Sequence, residues 1–404
     1  FPSVALACNL MEESFMKNVK MENLKLRVGY GEVGNVNGLG DYKFLTRYAG
    51  STQTAQYQYG YANGLPSFYQ TYRPDAVNKD LKWEIGQSLN VGLDFGFWNN
   101  RVNGSVNAYV RRSKDLIANS TVDPFTNFSN QIERNIGDME NRGIEFALNF
   151  SPIKTDNFEW NINYNIAFNQ NEVIKLPDNQ PIGGISTGVG GNIQAHAVGQ
   201  PAYSFYVYKQ VYDDNGKPIE GQFENLDGSV DLSGNPTINS DDMYYYKSPT
   251  PDLSLGLNSK LVYKDFDFSF SLHGNFGNYV YNDVAARSFN VNETGIYSTS
   301  GNGYFINKPA SAFVTNFTAA TSSIVHFSDY YIQDASFVRV DNVSLGYSFK
   351  QLFNVIKSGR IYVNVQNPYV FTKYSGLDPE LSDGIDRELY PRPVITMLGV
   401  SLKF

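Results

Sequence analysis

Cysteine is almost missing from these 404 residues: Cys8 stands alone. One thiol builds neither an internal disulfide nor a cysteine-based metal site. It fits an oxidising envelope compartment and a reducing one equally well. Positive charge is short as well, with 32 Lys and Arg against 40 Asp and Glu, a net −8. No basic stripe is present to meet phosphates, which excludes nucleic acid as a partner. No run of 18 apolar residues occurs, so there is no transmembrane helix. The opening Phe1-Pro2-Ser3-Val4 has neither a charged n-region nor an apolar h-region. For an envelope protein, the expectation is then that Phe1 lies inside a longer gene product.

What is abundant is aromatic. Phe, Trp and Tyr make up 15% of the chain, with 29 Tyr and 28 Phe, beside 35 Gly. Mean hydropathy is nonetheless −0.35, so the chain is rich in rings yet hydrophilic. A soluble core would draw more on Leu and Ile, whereas rings at two membrane interfaces are a barrel feature. A large soluble β-protein with many tyrosines would share this composition, so patterning has to decide.

The pattern is period two. Phe158, Trp160, Ile162, Tyr164, Ile166 and Phe168 share one face, and Glu159, Asn161, Asn163 and Asn165 the other. Leu89 to Phe97, Ile144 to Phe150, Phe266 to Leu272 and Val394 to Phe404 alternate in the same way. A tilted strand needs roughly 9–11 residues to cross a bilayer, and these segments reach that length. The reading predicts spanning strands over 24–30, 84–97, 101–115, 139–151, 157–170, 252–263, 266–279, 335–349, 359–371 and 393–404, with the end of another near 3–9. The links between them alternate. Trp98–Asn100, Pro152–Asn157, Lys264–Asp265 and Lys350–Ser358 are short; 31–83, 116–138, 171–251, 280–334 and 372–392 are long. Short periplasmic turns and long extracellular loops are a rule of outer-membrane barrels. A β-sandwich has no reason to sort its loops so.

Parity also settles one ambiguous segment. Tyr203, Phe205, Val207 and Val211 read as a strand, but a spanning strand there would put the turns at Pro152 and Lys264 on opposite sides. The segment is assigned to an excursion of loop 171–251, a hairpin or small sheet above the membrane. About ten and a half strands remain, which points to the C-terminal half of a barrel of about 20–24.

Several stretches go beyond generic barrel pattern. Leu81-Lys82-Trp83-Glu84 with Gln87 and Asn90-Val91-Gly92-Leu93-Asp94-Phe95 resembles the SusC/RagA family of TonB-dependent outer-membrane transporters of Bacteroidetes. So do Tyr109 with Asp115-Leu116-Ile117, and Asn135-Ile136-Gly137 with Asn141-Arg142-Gly143-Ile144-Glu145. Ser336-Phe337-Val338-Arg339 with Asn342-Val343-Ser344-Leu345-Gly346-Tyr347 resembles a late strand of that family. Tyr374-Ser375-Gly376-Leu377-Asp378-Pro379-Glu380 and Tyr390-Pro391-Arg392-Pro393 resemble its last extracellular loop. Phe1 to Ala7 is similar to an internal barrel segment, and the resemblance runs through residues 1–404. The departures are Cys8, where an aromatic is more usual, and Asn367-Pro368, where leucine commonly follows the Asn. The resemblance implies an all-β architecture: a 22-stranded transmembrane antiparallel barrel whose signal, plug, TonB box and first strands lie outside these residues. It implies TonB-powered import of an oligomeric nutrient, an oligosaccharide or peptide, with a SusD-like surface lipoprotein as lid. A passive porin or a surface adhesin on the same barrel is the alternative.

Candidate chemistry is sparse. Asp213-Asp214-Asn215-Gly216, Asn225, Asp227, Ser229, Asn239, Asp241 and Asp242 space oxygen ligands somewhat as calcium loops do, with Asp227, Asp241 and Asp242 the foremost candidates. Leu232 to Thr237 interrupts the spacing and no closing Glu follows, so a solvated acidic loop accounts for it and no cofactor is expected. His196, His273 and His326 lie far apart in sequence. His326-Phe327-Ser328-Asp329 has the residue types of a barrel hydrolase without a supporting pattern, so no enzyme is expected. Tyrosines in the long loops suit solute capture, because rings stack on sugars and pack against peptide side chains. Tyr57, Tyr59, Tyr61, Tyr69, Tyr72, Tyr304, Tyr330 and Tyr331 are the candidates; fixing the loops or meeting the lid are equally available roles.

Overall fold

The computed structural model describes all residues except 38, 44, 52–55, 124–130, 177–179, 182–191, 230–238, 289–326, 353–354 and 388–389. Eleven strands form one antiparallel sheet in chain order. They are β1 (Ser3–Asn9), β2 (Asn23–Asn35), β3 (Glu84–Phe97), β4 (Val102–Thr121), β5 (Gln131–Lys154), β6 (Phe158–Lys175), β7 (Leu253–Tyr263), β8 (Phe266–Phe276), β9 (Phe337–Leu352), β10 (Ile356–Thr372) and β11 (Ile395–Lys403). Every expected strand is present, including the terminal one. β1 pairs with β2 alone and β11 with β10 alone, so among the described residues the sheet stays open at both edges.

Register turns each strand's alternation into a property of the whole sheet. Leu26 pairs with Leu93, Leu93 with Val106, Val106 with Phe146, Phe146 with Ile166, and Ile166 with Leu255, an unbroken apolar row. On the opposite face Asn103, Asn149, Asn163, Asn258, Ser271, Asn342 and Gln366 line up across seven strands. Asn149 donates to Asn103 at 2.9 Å and Asn163 to Asn149 at 2.8 Å. The apolar face is uncovered, with Leu398 75% exposed, and an apolar surface of this extent belongs in lipid. The polar face is the one a barrel turns to its lumen. A lysine at Val343, which pairs with Phe270 and Val365 on the apolar face, should therefore lower the amount of protein inserted in the outer membrane. The cost near the bilayer midplane is about 2–4 kcal/mol. Ser344→Lys, one residue on and facing the lumen, should insert normally. Equal membrane levels for the two variants would reverse the facing.

At the short-link end the rings collect: Trp98 lies 6.4 Å from Phe150, Phe158 6.2 Å from Tyr263, and Phe266 4.8 Å from Tyr347. The β3–β4 turn there sets Trp98, Asn99 and Asn100 all at left-handed φ, a twist that suits hairpin connections. The departure at Asn367-Pro368 also has a reason. The β9–β10 register slips between Val340 and Asn342, Asn367 adopts φ 50°, and Pro368 falls in the resulting bulge, where no ladder N–H is required.

Two expectations are corrected in extent. β4 and β5 run on to Thr121 and back from Gln131, well past the expected 115 and 139. A bulge at Asp115, whose φ is 56°, breaks the alternation, and beyond it Leu116-Ile117-Ala118-Asn119 and Glu133-Arg134-Asn135 keep no period of two. Hydropathy does not show such a hairpin, because its ladder bonds satisfy the backbone without requiring one apolar face. At its other end β5 runs on to Lys154, which shortens the link to β6 to 155–157.

Loop 171–251 carries sheets of its own. Gln180–Pro181, Gln194–His196, Ser204–Tyr208 and Met243–Tyr246 form a separate four-stranded sheet, and Gln210–Tyr212 pairs with Pro218–Phe223. Among the described residues the buried hydrophobic core is found mainly in the loops. Phe205, Val207 and Tyr208 pack with Ile193, Met243, Tyr281, Phe327, Tyr331 and Ile385, which joins three loops separated by long stretches of sequence. A small sheet seals the junction: Tyr279–Asn282 lies between Ile332–Asp334 and, in parallel, Ile385–Asp386.

Candidate functional site

The polar face of the sheet meets the loop body through an ion network. Period two puts His273 of β8 on the polar face opposite Arg339 of β9, and the β9 bulge brings Asp341 to the same side. The last long loop, 373–394, supplies Asp378, Glu380 and Arg392. Each arginine reaches both acids. Arg339 Nη2 lies 2.5 Å from Asp378 and its Nε 3.2 Å from Glu380. Arg392 Nε lies 3.1 Å from Asp378 and its Nη1 2.7 Å from Glu380. His273 sits beside them, with Nδ1 2.7 Å from Asp341 and Nε2 3.4 Å from Glu380. The Arg339 and Asp378 side chains are only 6% and 3% exposed. Charges so desolvated are tolerable only because each is paired and hydrogen-bonded. Phe337 supports the group, with the His273 ring edge-on at 5.4 Å and the Arg339 guanidinium over its face at 5.7 Å. The network clamps the last loop onto the lumenal wall.

Further bonds brace the same loop internally and tie it to its neighbours. The Tyr374 hydroxyl donates to Asp386 at 2.8 Å; burial, then that carboxylate, push the hydroxyl far above its ordinary range. Gln194 donates its side-chain amide to the Asp383 carbonyl at 2.8 Å, and Tyr281 donates its backbone N–H to the Gly384 carbonyl at 2.9 Å.

Beside the clamp a cleft of about 680 Å³ opens at the same end of the sheet. Tyr203, Pro249, Asn275, Asn278, Glu380 and Arg392 are among the residues that line it. Tyr203 has a left-handed backbone at φ 61°. For a bulky L-residue that conformation costs roughly 1–2 kcal/mol. Its ring is held edge-on by His196 at 4.9 Å and is 46% exposed. Nothing in Pro201-Ala202-Tyr203-Ser204 announces a left-handed turn, since no Gly or Asn is present. The sequence pattern read Tyr203 only as the first residue of a strand.

The residues singled out from sequence do not form one surface. Tyr57, Tyr59 and Tyr61 lie on Gln56–Ala62, which pairs with Leu65–Gln70 in a hairpin of its own. All three are strongly exposed, as are Tyr69 and Tyr72, and Tyr59 meets Tyr69 edge-on at 6.3 Å. Tyr304 and His326 lie outside the described residues. Tyr331 is corrected from solute capture to core: it is fully buried, edge-on to Tyr281 and Tyr330, and fixes the loops to one another. Tyr330 packs half-buried against that core.

The acidic stretch holds itself. Fully buried Asp242 accepts from the backbone N–H groups of Leu226 at 2.7 Å, Asp227 at 3.2 Å and Asn239 at 2.9 Å. Asp227 accepts from the Asn239 amide at 3.0 Å and from the Ser229 N–H at 2.6 Å, and those bonds hold its carboxyl below the usual range. Asp241 donates its N–H to Asn239 at 2.7 Å. Among the described residues no group of three or more His, Cys, Asp or Glu is placed to hold a metal ion.

Comparisons with known proteins bear on the whole chain. The sequence profile of the family described as "TonB dependent receptor-like, beta-barrel" matches residues 20–368. The TonB-dependent receptor SusC of Bacteroides thetaiotaomicron is 44% identical over 416 residues, covering 100% of this chain and 40% of that protein. The TonB-dependent receptor P3 of Formosa agariphila is 30% identical over 438 residues, covering 100% and 42%. The chain therefore spans about two fifths of the length of these relatives. Among solved structures, the RagAB peptide importer in its "open-open" state superposes with a TM-score of 0.76 at 21% identity, covering 100% of this chain and 42% of that one. The structure described as the RagAB peptide transporter gives 0.73 at 21% identity, covering 100% and 43%.

Proposed function

Because the chain belongs to the TonB-dependent receptor-like β-barrel family and is an outer-membrane protein, we propose that it forms the C-terminal wall and mouth of an active importer, not an enzyme. The cargo is an oligomeric nutrient, glycan or peptide, taken through a plugged barrel with energy from TonB. The observation that carries this reading is the build of the long-loop end. Three loops share a buried core and are clamped by paired charges to the lumenal wall, so the mouth is a fixed structure above a polar channel face. A passive pore gains little from such construction, whereas capture of a large solute requires a preformed surface. The exposed tyrosines Tyr57, Tyr59 and Tyr61 suit a SusD-like lipoprotein seated over the loops, since amphipathic rings are enriched where proteins meet.

Cells producing the protein should take up labelled oligosaccharides or peptides, and an uncoupler of the proton-motive force should reduce uptake to the level of a strain lacking the gene. A porin would instead pass solute unaffected by the uncoupler, and an adhesin would hold it at the surface without uptake. Either result would replace the importer reading.

A further inference from the structure

We infer that the cleft beside Tyr203 binds a neutral, hydroxyl-rich ligand, a sugar residue of an oligosaccharide, with Tyr203 as the stacking platform. The inference rests on the importer reading and goes further by assigning a site and a ligand chemistry. The cleft has a suitable scale, about 680 Å³ against roughly 300–1,000 Å³ for small-molecule pockets.

Its charges are already committed. Arg392 is held by Asp378 and Glu380, Glu380 is shared with Arg339, and Asp383 pairs with Arg387 at 2.5 Å. A peptide terminus or acidic sugar would have to break one of those pairs to find a counter-charge. Neutral groups remain. Asn275 accepts from Ser254 through Oδ1 at 2.8 Å, and among the described residues its amide N–H groups have no acceptor. Thr250 and Ser382 add hydroxyls to the lining. Hydroxyls of a ligand both donate and accept, and match this set without bringing charge.

Tyr203 completes the argument. A residue at φ 61° is ordinarily Gly or Asn, yet here it is a tyrosine whose half-exposed ring lines the cleft and is steadied by His196. Backbone strain of this kind clusters at binding surfaces. Pro249 and Pro251 also line the cleft, and their fixed φ limits its freedom before a ligand arrives.

The test exploits that strain. Tyr203→Gly removes the ring and relieves the backbone at once, so the variant should fold with an undiminished Tm. The purified protein is titrated calorimetrically with neutral gluco-, manno-, fructo- and xylo-oligosaccharides, with oligogalacturonides, and with a mixture of short peptides. At least one neutral series should bind; Tyr203→Gly should weaken it about tenfold or more, and Tyr203→Phe should change it little. Neutral binding untouched by Tyr203→Gly would overturn the site. Binding of peptides or oligogalacturonides alone would overturn the ligand class while leaving the importer standing. Absence of binding in every series, together with uptake that ignores the uncoupler, would remove the importer reading as well.

Discussion

In whole cells carrying a Cys8→Ser background, a membrane-impermeant maleimide should react with Tyr59→Cys and leave Asp156→Cys untouched. The background change is needed because Cys8 is exposed on β1, where it pairs with Leu26 on the apolar face. Tyr59 lies on the hairpin of loop 36–83 and is 76% exposed, so its thiol would meet the reagent freely. Asp156 lies in the link between β5 and β6, on the side shared by the Trp98 and Lys264 turns. The expected contrast is all or none, since sidedness is fixed by parity: an even number of antiparallel crossings returns the chain to one side. After the membrane is permeabilised both thiols should label. Labelling of Asp156→Cys alone in intact cells would invert the topology, and equal labelling would mean that the sheet does not span.

Removing one carboxylate should loosen the mouth almost as decisively. Asp378→Ala takes an acceptor from both Arg339 and Arg392 and leaves the nearly buried Arg339 guanidinium with Glu380 alone, at 3.2 Å. Breaking a buried pair from one side costs about 3–5 kcal/mol. The expected result is trypsin cleavage at Arg387 or Arg392 faster by roughly two orders of magnitude, with hydrogen exchange across 373–394 rising while that of β9 and β10 stays low. Asp383→Asn is the control. Its partner Arg387 is one helical turn's spacing away and both side chains are 41–50% exposed, so little should change, about 0–1 kcal/mol. A double Arg339→Met, Asp378→Leu variant should recover part of the protection, because no lone charge is left buried. If Asp378→Ala resists trypsin as the parent does, the clamp is not what holds the loop.

Fold was legible in this sequence where one face of a strand meets lipid. Phe158 to Phe168 and Phe266 to Leu272 alternate because the bilayer penalises any exception, and their turns then follow from loop length. Legibility ended where that alternation lapses, as in the outer half of the β4–β5 hairpin, whose Asn119, Ser120 and Thr121 carry no periodic signal. The site was read in part. Loop tyrosines were visible as a class, but nothing local separates exposed Tyr59 from buried Tyr331, since their surroundings are built by residues far away. His273 was placed on a polar face, yet its carboxylate neighbours Asp341 and Glu380 depend on a bulge and on a loop 107 residues onward. The left-handed backbone of Tyr203 leaves no compositional trace. Motif resemblance placed Asp378-Pro379-Glu380 and Arg392 in one loop, and the clamp shows how they meet in space.

The loop core also imposes an order on assembly. Ile193, Tyr281 and Ile385 are neighbours in space, although the last follows the first by most of two hundred residues. Loop closure over such spans is slow, and its entropy must be met before any contact rewards it. The parallel pairing of Tyr281 with Ile385 cannot form until the segment just before β11 has crossed to the outer surface. Completion of the mouth is thus a late kinetic event, gated by arrival of the final strand. A chain stalled before that step would display Phe205, Val207 and Tyr208 to solvent, a state that quality-control proteases are equipped to find.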